Sequence, residues 1–143
     1  MNYQELCNRQ QKEAEDFSDG KIFFVFGSSK EEVTQKLLND YGVTPDKVTG
    51  IGAGGYVLTE FLPDLEKLLL KHSDERKQYA LQNIYEVVQY YCWDYELYIS
   101  LSYTLKSLCT DLMDLTEDEI QANKDEITRA YKDYCTEFEK LNI

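Results

Sequence analysis

From Pro63 to Leu101 the chain carries a helical pattern with hardly a break, and that stretch limits the folds open to it. One straight helix over residues 63 to 101, rising 1.5 Å per residue, would reach about 58 Å. A compact domain of this chain's length has a radius of gyration of only about 14–15 Å. The stretch must therefore turn back on itself, and His72-Ser73-Asp74 offers the place, because Ser73 can cap a second helix with Asp74 and Glu75 in its first turn. Pro63, followed by Asp64 and Glu66, suits the start of the first helix. In the second, Leu81, Ile84, Val88, Tyr91, Tyr95 and Tyr98 recur by threes and fours and predict one buried seam.

The remaining elements follow from local signals. Tyr3, Leu6, Cys7, Gln10, Ala14 and Phe17 share one side of a helix over residues 2–17, which Ser18-Asp19-Gly20 ends. KIFFVFG, residues 21–27, reads as a strand; its unbroken apolar run predicts burial on both faces. Ser28 and Ser29 each stand three residues before a glutamate, Glu31 and Glu32, the signature of a capped helix running to about Asp40. Tyr41-Gly42 closes it, and Pro45-Asp46 makes a turn.

A shorter helix within residues 101–115 carries Leu105, Leu108 and Leu112. A last helix opens at Thr116, with Glu119 completing a second capping box, and presents Ile120, Ile127, Tyr131, Tyr134, Phe138 and Leu141. The expected fold is α+β: a two- or three-stranded sheet packed with about five helices. It is read as a single domain over residues 1–143, with a helix and strand portion at 1–61 and a mainly helical portion at 62–143.

The first portion ends in KVTGIGAGGYVLTEF, containing Gly50-x-Gly52-x-x-Gly55. A dinucleotide-binding loop needs a helix to begin at the last glycine, so that its N-terminus meets the pyrophosphate. Here Tyr56 to Phe61 alternate like a strand, and no Lys-Ser or Lys-Thr follows to make a P-loop. The glycines are expected to form a hairpin turn or bulged strand, with Gly52 and Gly54 needing positive φ or close backbone approach. A reduced ligand role stays open, in which backbone N–H groups of Gly52, Gly54 and Gly55 cradle a small anion.

Charge excludes one large class of partner. Fifteen basic residues face 27 acidic ones, a formal charge of −12, which opposes direct binding to a nucleic-acid backbone. With 43% hydrophobic residues the chain can pack a core, and it has no apolar run long enough to span a bilayer. Its polar N-terminus reads as neither signal nor transit peptide, so a cytoplasmic location is expected. Cys7, Cys92, Cys109 and Cys135 are dispersed, with no C-x-x-C pair, and are expected to be free thiols binding no metal. No cofactor is called for, and no catalytic residue stands out. The single histidine, His72, falls in KHSDER and is expected to be solvated at a helix end.

The aromatic residues are less ordinary. Tyr85, Tyr90, Tyr91, Trp93, Tyr95, Tyr98 and Tyr103 crowd a short stretch, and one helix face can bury about half of them. Tyr91, Tyr95 and Tyr98 belong to the seam, which leaves Tyr85, Tyr90, Trp93 and Tyr103 for a second surface. Such side chains anchor protein interfaces. Asp125, Glu126 and Asp133, in the acid-rich terminal segment, supply a candidate rim that would attract a basic partner.

The motifs NYxELCxRQQ (residues 2–11), FFVF (23–26) and VTGIGAGGYV (48–57) resemble an uncharacterised small-protein family of Firmicutes and their phages. The resemblance covers the first 60 or so residues and continues through Tyr90 to Tyr98 and the TEDEI start of the last helix. The chain departs from it at CWDYELYISLSY, where the family often has a short polar insertion. No activity comes with the family. The resemblance implies a small cytosolic protein associated with mobile elements. The expected function is accordingly a non-enzymatic acidic inhibitor that blocks the basic nucleic-acid-binding surface of a host defence nuclease, in the manner of an anti-CRISPR. A nucleotide-signal binder using the glycine bend and nearby tyrosines is the alternative, and a small enzyme the third.

Overall fold

The computed structural model describes residues 1–141. Among the described residues it contains seven α-helices and one three-stranded antiparallel sheet, an α+β architecture with a helical C-terminal half. The chain separates into two compact units: Asn8–His72, and Met1–Cys7 with the chain from Ser73 onward.

The Asn8–His72 unit holds the sheet. It contains most of α1 (Tyr3–Ser18), then β1 (Ile22–Phe24), α2 (Lys30–Tyr41), β2 (Val48–Gly52), β3 (Gly55–Leu58) and the first half of α3 (Leu62–Gln82). The strand order is β1-β3-β2, so β3 is central and its Val57 is fully buried. Ser29 caps α2, its side chain accepting from the Glu32 amide, while the Glu32 carboxylate accepts from the Ser28 amide and hydroxyl at 2.8 Å. At the other end Gly42 takes φ +66°, and the amides of Gly42 and Val43 reach back to Leu38 and Leu37.

The glycine stretch is a hairpin. β2 and β3 pair antiparallel with an irregularity between Gly50 and Gly52, and the turn residues Ala53 and Gly54 have φ of 52° and 78°. Two successive positive φ values mark the type I′ turn that matches strand twist. Gly54 is doubly required, because a Cβ there would lie 2.3 Å from the Phe26 ring.

The FFVF expectation needs correction. Val25 is buried, but Phe24 and Phe26 are 55% and 66% exposed. Exposure alternates along this extended run, Val25 turning inward and Phe24 and Phe26 outward, so only one of its faces is covered.

The second unit is helical: the rest of α3, α4 (Ile84–Asp94), the single turn α5 (Leu105–Ser107) running into a π-helical turn at Leu108–Leu112, α6 (Glu117–Ala122) and α7 (Lys124–Leu141). Its core unites Tyr3 and Leu6 with Val87, Val88, Cys92, Leu108, Ala130 and Tyr134. The break expected at His72–Asp74 is absent, and α3 runs unbroken to Gln82. The interruption comes at Asn83, whose side-chain amide donates to the Tyr79 carbonyl at 3.0 Å. This local alternative to the helical ladder is a habit of asparagine.

α4 also stops earlier than its pattern suggests. Glu96 adopts φ 47° and a 3₁₀ turn follows at Leu97–Ile99, which leaves Tyr95 and Tyr98 37% and 45% exposed. The buried stripe keeps Ile84 and Val88 of the expected seam and adds Val87 and Cys92. The capping box at Thr116 and Glu119 is present, but the helix it opens ends at Ala122, and α7 begins anew after Asn123.

Candidate functional site

α4 and α7 pack together more extensively than any other helix pair, and their exposed margins carry most of the expected partner-binding residues. Tyr85 pairs with Asp133, Gln89 reaches the Ala130 carbonyl, and Trp93 meets Tyr134 and Phe138, so the two helices run in the same direction. The margin has two chemically different ends.

At the Tyr85 end, the tyrosine hydroxyl donates to Asp133 Oδ2 at 2.6 Å and accepts from Gln89 Nε2 at 3.2 Å. The Arg129 guanidinium lies 4.2 Å from the centre of the Tyr85 ring and forms a fork with Glu126. The bond to Asp133, with burial behind it, raises the Tyr85 pKa above its usual value. Asp125 and Asp133 line one shallow depression with Lys124, Arg129 and Lys132. Three cations thus interleave with Asp125, Glu126 and Asp133, and the charge at this end is mixed.

At the other end Trp93 is 38% exposed, set edge-on against buried Tyr134 at 4.8 Å. Tyr98 stacks on Phe138 at 4.8 Å with 20° between the rings, and its hydroxyl donates to Glu139. The Tyr134 hydroxyl accepts from the Tyr98 amide, fixing the turn that follows α4. Ile99 is 58% exposed, and Leu101 is fully exposed. Asp94, Glu96, Glu137 and Glu139 are exposed in the same segments, against Lys140, which pairs with Glu137. Here the surface is aromatic and acidic together.

Tyr90 and Tyr103 lie elsewhere. Tyr90 stands edge-on to Tyr3, 5.0 Å away, and to Tyr91, while Tyr103 tilts against Tyr95. Tyr3 and Tyr91 share a 2.5 Å hydroxyl contact, and Glu86 accepts from the Tyr3 amide and the Tyr79 hydroxyl. Burial, with the Glu86 bond second, pushes Tyr79 up to about 12. Tyr90 and Tyr103 are both half-buried against the core.

The glycine bend is covered from one side. Phe26 lies over Gly54, while Ile51 and Phe24 close over buried Gly55; Gly52 is open to solvent. The Gly54 carbonyl accepts from the Val25 amide, so the bend ties the hairpin to the edge strand.

His72 is buried, not solvated. Its Nε2 lies 2.7 Å from Glu13 Oε2, and Glu13 also accepts from Arg9 at 2.5 Å. Gln10, buried as well, donates to the His72 carbonyl. The histidine bond, with the Arg9 pair behind it, holds the Glu13 carboxyl below its usual pKa. One carboxylate and one imidazole could serve a divalent cation, but Arg9 already compensates the carboxylate. The sequence carried no signal for this pair, whose members are 59 positions apart.

All four cysteines are free; Cys92 and Cys109 are buried, and burial pushes their thiols up to about 12 and 11. No helix among the described residues is long and apolar enough to cross a membrane.

The chain matches the model of a family of unknown function (DUF7659) over residues 2–137. An uncharacterised family was expected, and this match reaches far beyond the first 60 residues. No curated protein and no solved structure matches the chain.

Proposed function

The chain belongs to that family of unknown function, and we propose that it is a non-enzymatic binding protein whose docking face is the Trp93–Tyr98–Phe138 end of α4 and α7. The carrying observation is the half-exposed Trp93, braced edge-on by a fully buried tyrosine and flanked by a stacked tyrosine–phenylalanine pair. Rigid aromatic side chains held this way bury large area at little entropic cost. Four carboxylates around them select a basic partner surface.

In its finer form the partner is a nucleic-acid-processing nuclease of a host defence system, and the protein blocks its basic groove. The support for this is the net charge of −12, which suits an occupant of a groove built for phosphates. The mixed charge around Arg129 moves the acidic contribution away from Asp125, Glu126 and Asp133 and toward Asp94, Glu96, Glu137 and Glu139.

The test compares baits. Wild-type protein and Trp93→Ala are each immobilised and exposed to a host extract, and proteins held by the first alone are identified and titrated. A basic nuclease that the variant binds at least about 30-fold more weakly supports the reading, since an anchor is worth about 2 kcal/mol. Lysine at Glu137 and Glu139 should slow association and flatten its salt dependence. Equal retention of every protein by both baits refutes the docking face.

A further inference from the structure

A second feature, on different elements, lies within the helical unit. α3 presents Ser73, Arg76 and Lys77 to a cleft of about 170 Å³ whose far wall is the π-helical turn and its exit, with Asp111 and Asp114, and to which buried Tyr3 contributes. Two irregularities meet there. The π turn is a rare form that concentrates at functional sites. Asp114 holds φ 56°, a conformation costly for a non-glycine residue and enriched where ligands are held.

The volume restricts the occupant. Water takes about 30 Å³ per molecule in the liquid, so the cleft has room for some five or six waters. It is well below the roughly 300 Å³ at which pockets for drug-sized ligands begin. Charge restricts it further. Arg76 and Lys77 stand on one wall, Asp111 and Asp114 on the other. An inorganic anion placed between them would meet two carboxylates, and a simple cation would meet a guanidinium and an ammonium. A molecule carrying both signs on adjacent atoms satisfies both walls.

The geometry points to a binding site for a small zwitterionic α-amino acid, its carboxylate on Arg76 and Ser73 and its ammonium on Asp111 and Asp114. Lys77 is engaged by Glu119 at 3.1 Å and serves as background charge. Arg76 is the principal carboxylate holder, because five N–H donors let a guanidinium keep a protein neighbour and grip a ligand oxygen pair together. The Tyr3 hydroxyl is committed to Tyr91, so the ring acts as a wall and not as a donor to the ligand.

Calorimetric titration of the full chain with L-alanine, N-acetyl-L-alanine, L-alaninamide and inorganic phosphate tests the assignment. L-alanine should bind, and either blocked form should bind at least tenfold more weakly. Arg76→Gln and Asp111→Asn should each weaken L-alanine at least tenfold, with Arg76→Lys in between and circular dichroism unchanged. Should Arg76→Gln fail to fold, Asp111→Asn and the blocked ligands decide the matter alone. Phosphate binding without alanine binding overturns the proposal, as does no heat with any of the four probes, or alanine binding indifferent to the variants.

Discussion

The Tyr85 hydroxyl on α4 donates to Asp133 on α7 across 48 positions of sequence, and the Arg129 guanidinium covers the tyrosine ring from one turn earlier on α7. Both partners of this bond were candidates for binding another protein, yet each is occupied by the other. The bond bridges the two helices. A double-mutant cycle of Tyr85→Phe and Asp133→Ala, followed by urea unfolding, should give a coupling energy of about 1 kcal/mol. A coupling indistinguishable from zero would show the contact contributes nothing to the pairing.

The hairpin turn makes two opposite predictions at neighbouring positions. Ala53, at φ 52°, pays for a left-handed conformation that asparagine tolerates better. Ala53→Asn should raise stability by about 0.5–1 kcal/mol. Gly54→Ala should lower it by more than about 1 kcal/mol, because the methyl group meets the Phe26 ring as well as the backbone restriction. Thermal melts of both variants check the pair, and equal signs would refute the turn assignment.

Acid should weaken the start of α2. Glu32 is held down to about 2 by the Ser28 amide, then by the Ser28 hydroxyl and Lys36, against an ordinary value of 4.5. A carboxyl depressed on folding adds stability that is complete above 4.5 and lost as pH falls toward 2. Stability followed from pH 6 to pH 2 should therefore decline in that window, and Glu32→Gln should flatten that part of the decline. A variant whose acid limb overlays the wild type contradicts this.

Thiol chemistry should divide by burial. In the native state Cys92 and Cys109, buried and with raised pKa, should react with a thiol reagent at pH 8 far more slowly than the partly exposed Cys7 and Cys135. Denaturation without reductant should release four equivalents. A smaller count would reveal a disulfide.

Signals that act over three or four residues were legible in the sequence. The capping box at Thr116 and Glu119 and the hairpin at Gly52 to Gly55 both formed, because each is a local contract between backbone and side chain. What depended on distant chain was not legible. Whether Phe24 is covered depends on what packs against its face of the sheet, and β1 enters that sheet only by pairing with β3 more than 30 residues later. His72 looked solvated because its neighbours Lys71, Ser73 and Asp74 are polar; its burial and its partner Glu13 come from α1. Within α4 the expected seam holds at Ile84 and Val88 and fails at its tyrosine end. Tyrosines at threes and fours outweighed Val87 and Cys92, although bulky aromatic residues are often left at the margin when smaller ones fill the contact. For the candidate site, Tyr85 and Trp93 were found by their excess over one helix face, whereas the separation of Tyr90 and Tyr103 from them required Tyr3 and Tyr95 to be in place.

Trp93 is the chain's one tryptophan, and it sits edge-on to Tyr134 with part of its indole facing solvent. The protein thus carries a built-in optical reporter at the α4–α7 margin. Selective excitation of the indole gives emission from this one position, whose colour reads the local polarity and whose quenching by iodide reads its accessibility. Anything that covers this end of the helix pair will shift that emission to the blue and protect it from quencher without any label. Unfolding of the helical unit will instead shift it to the red, so that occupancy and stability can be followed in a single cuvette.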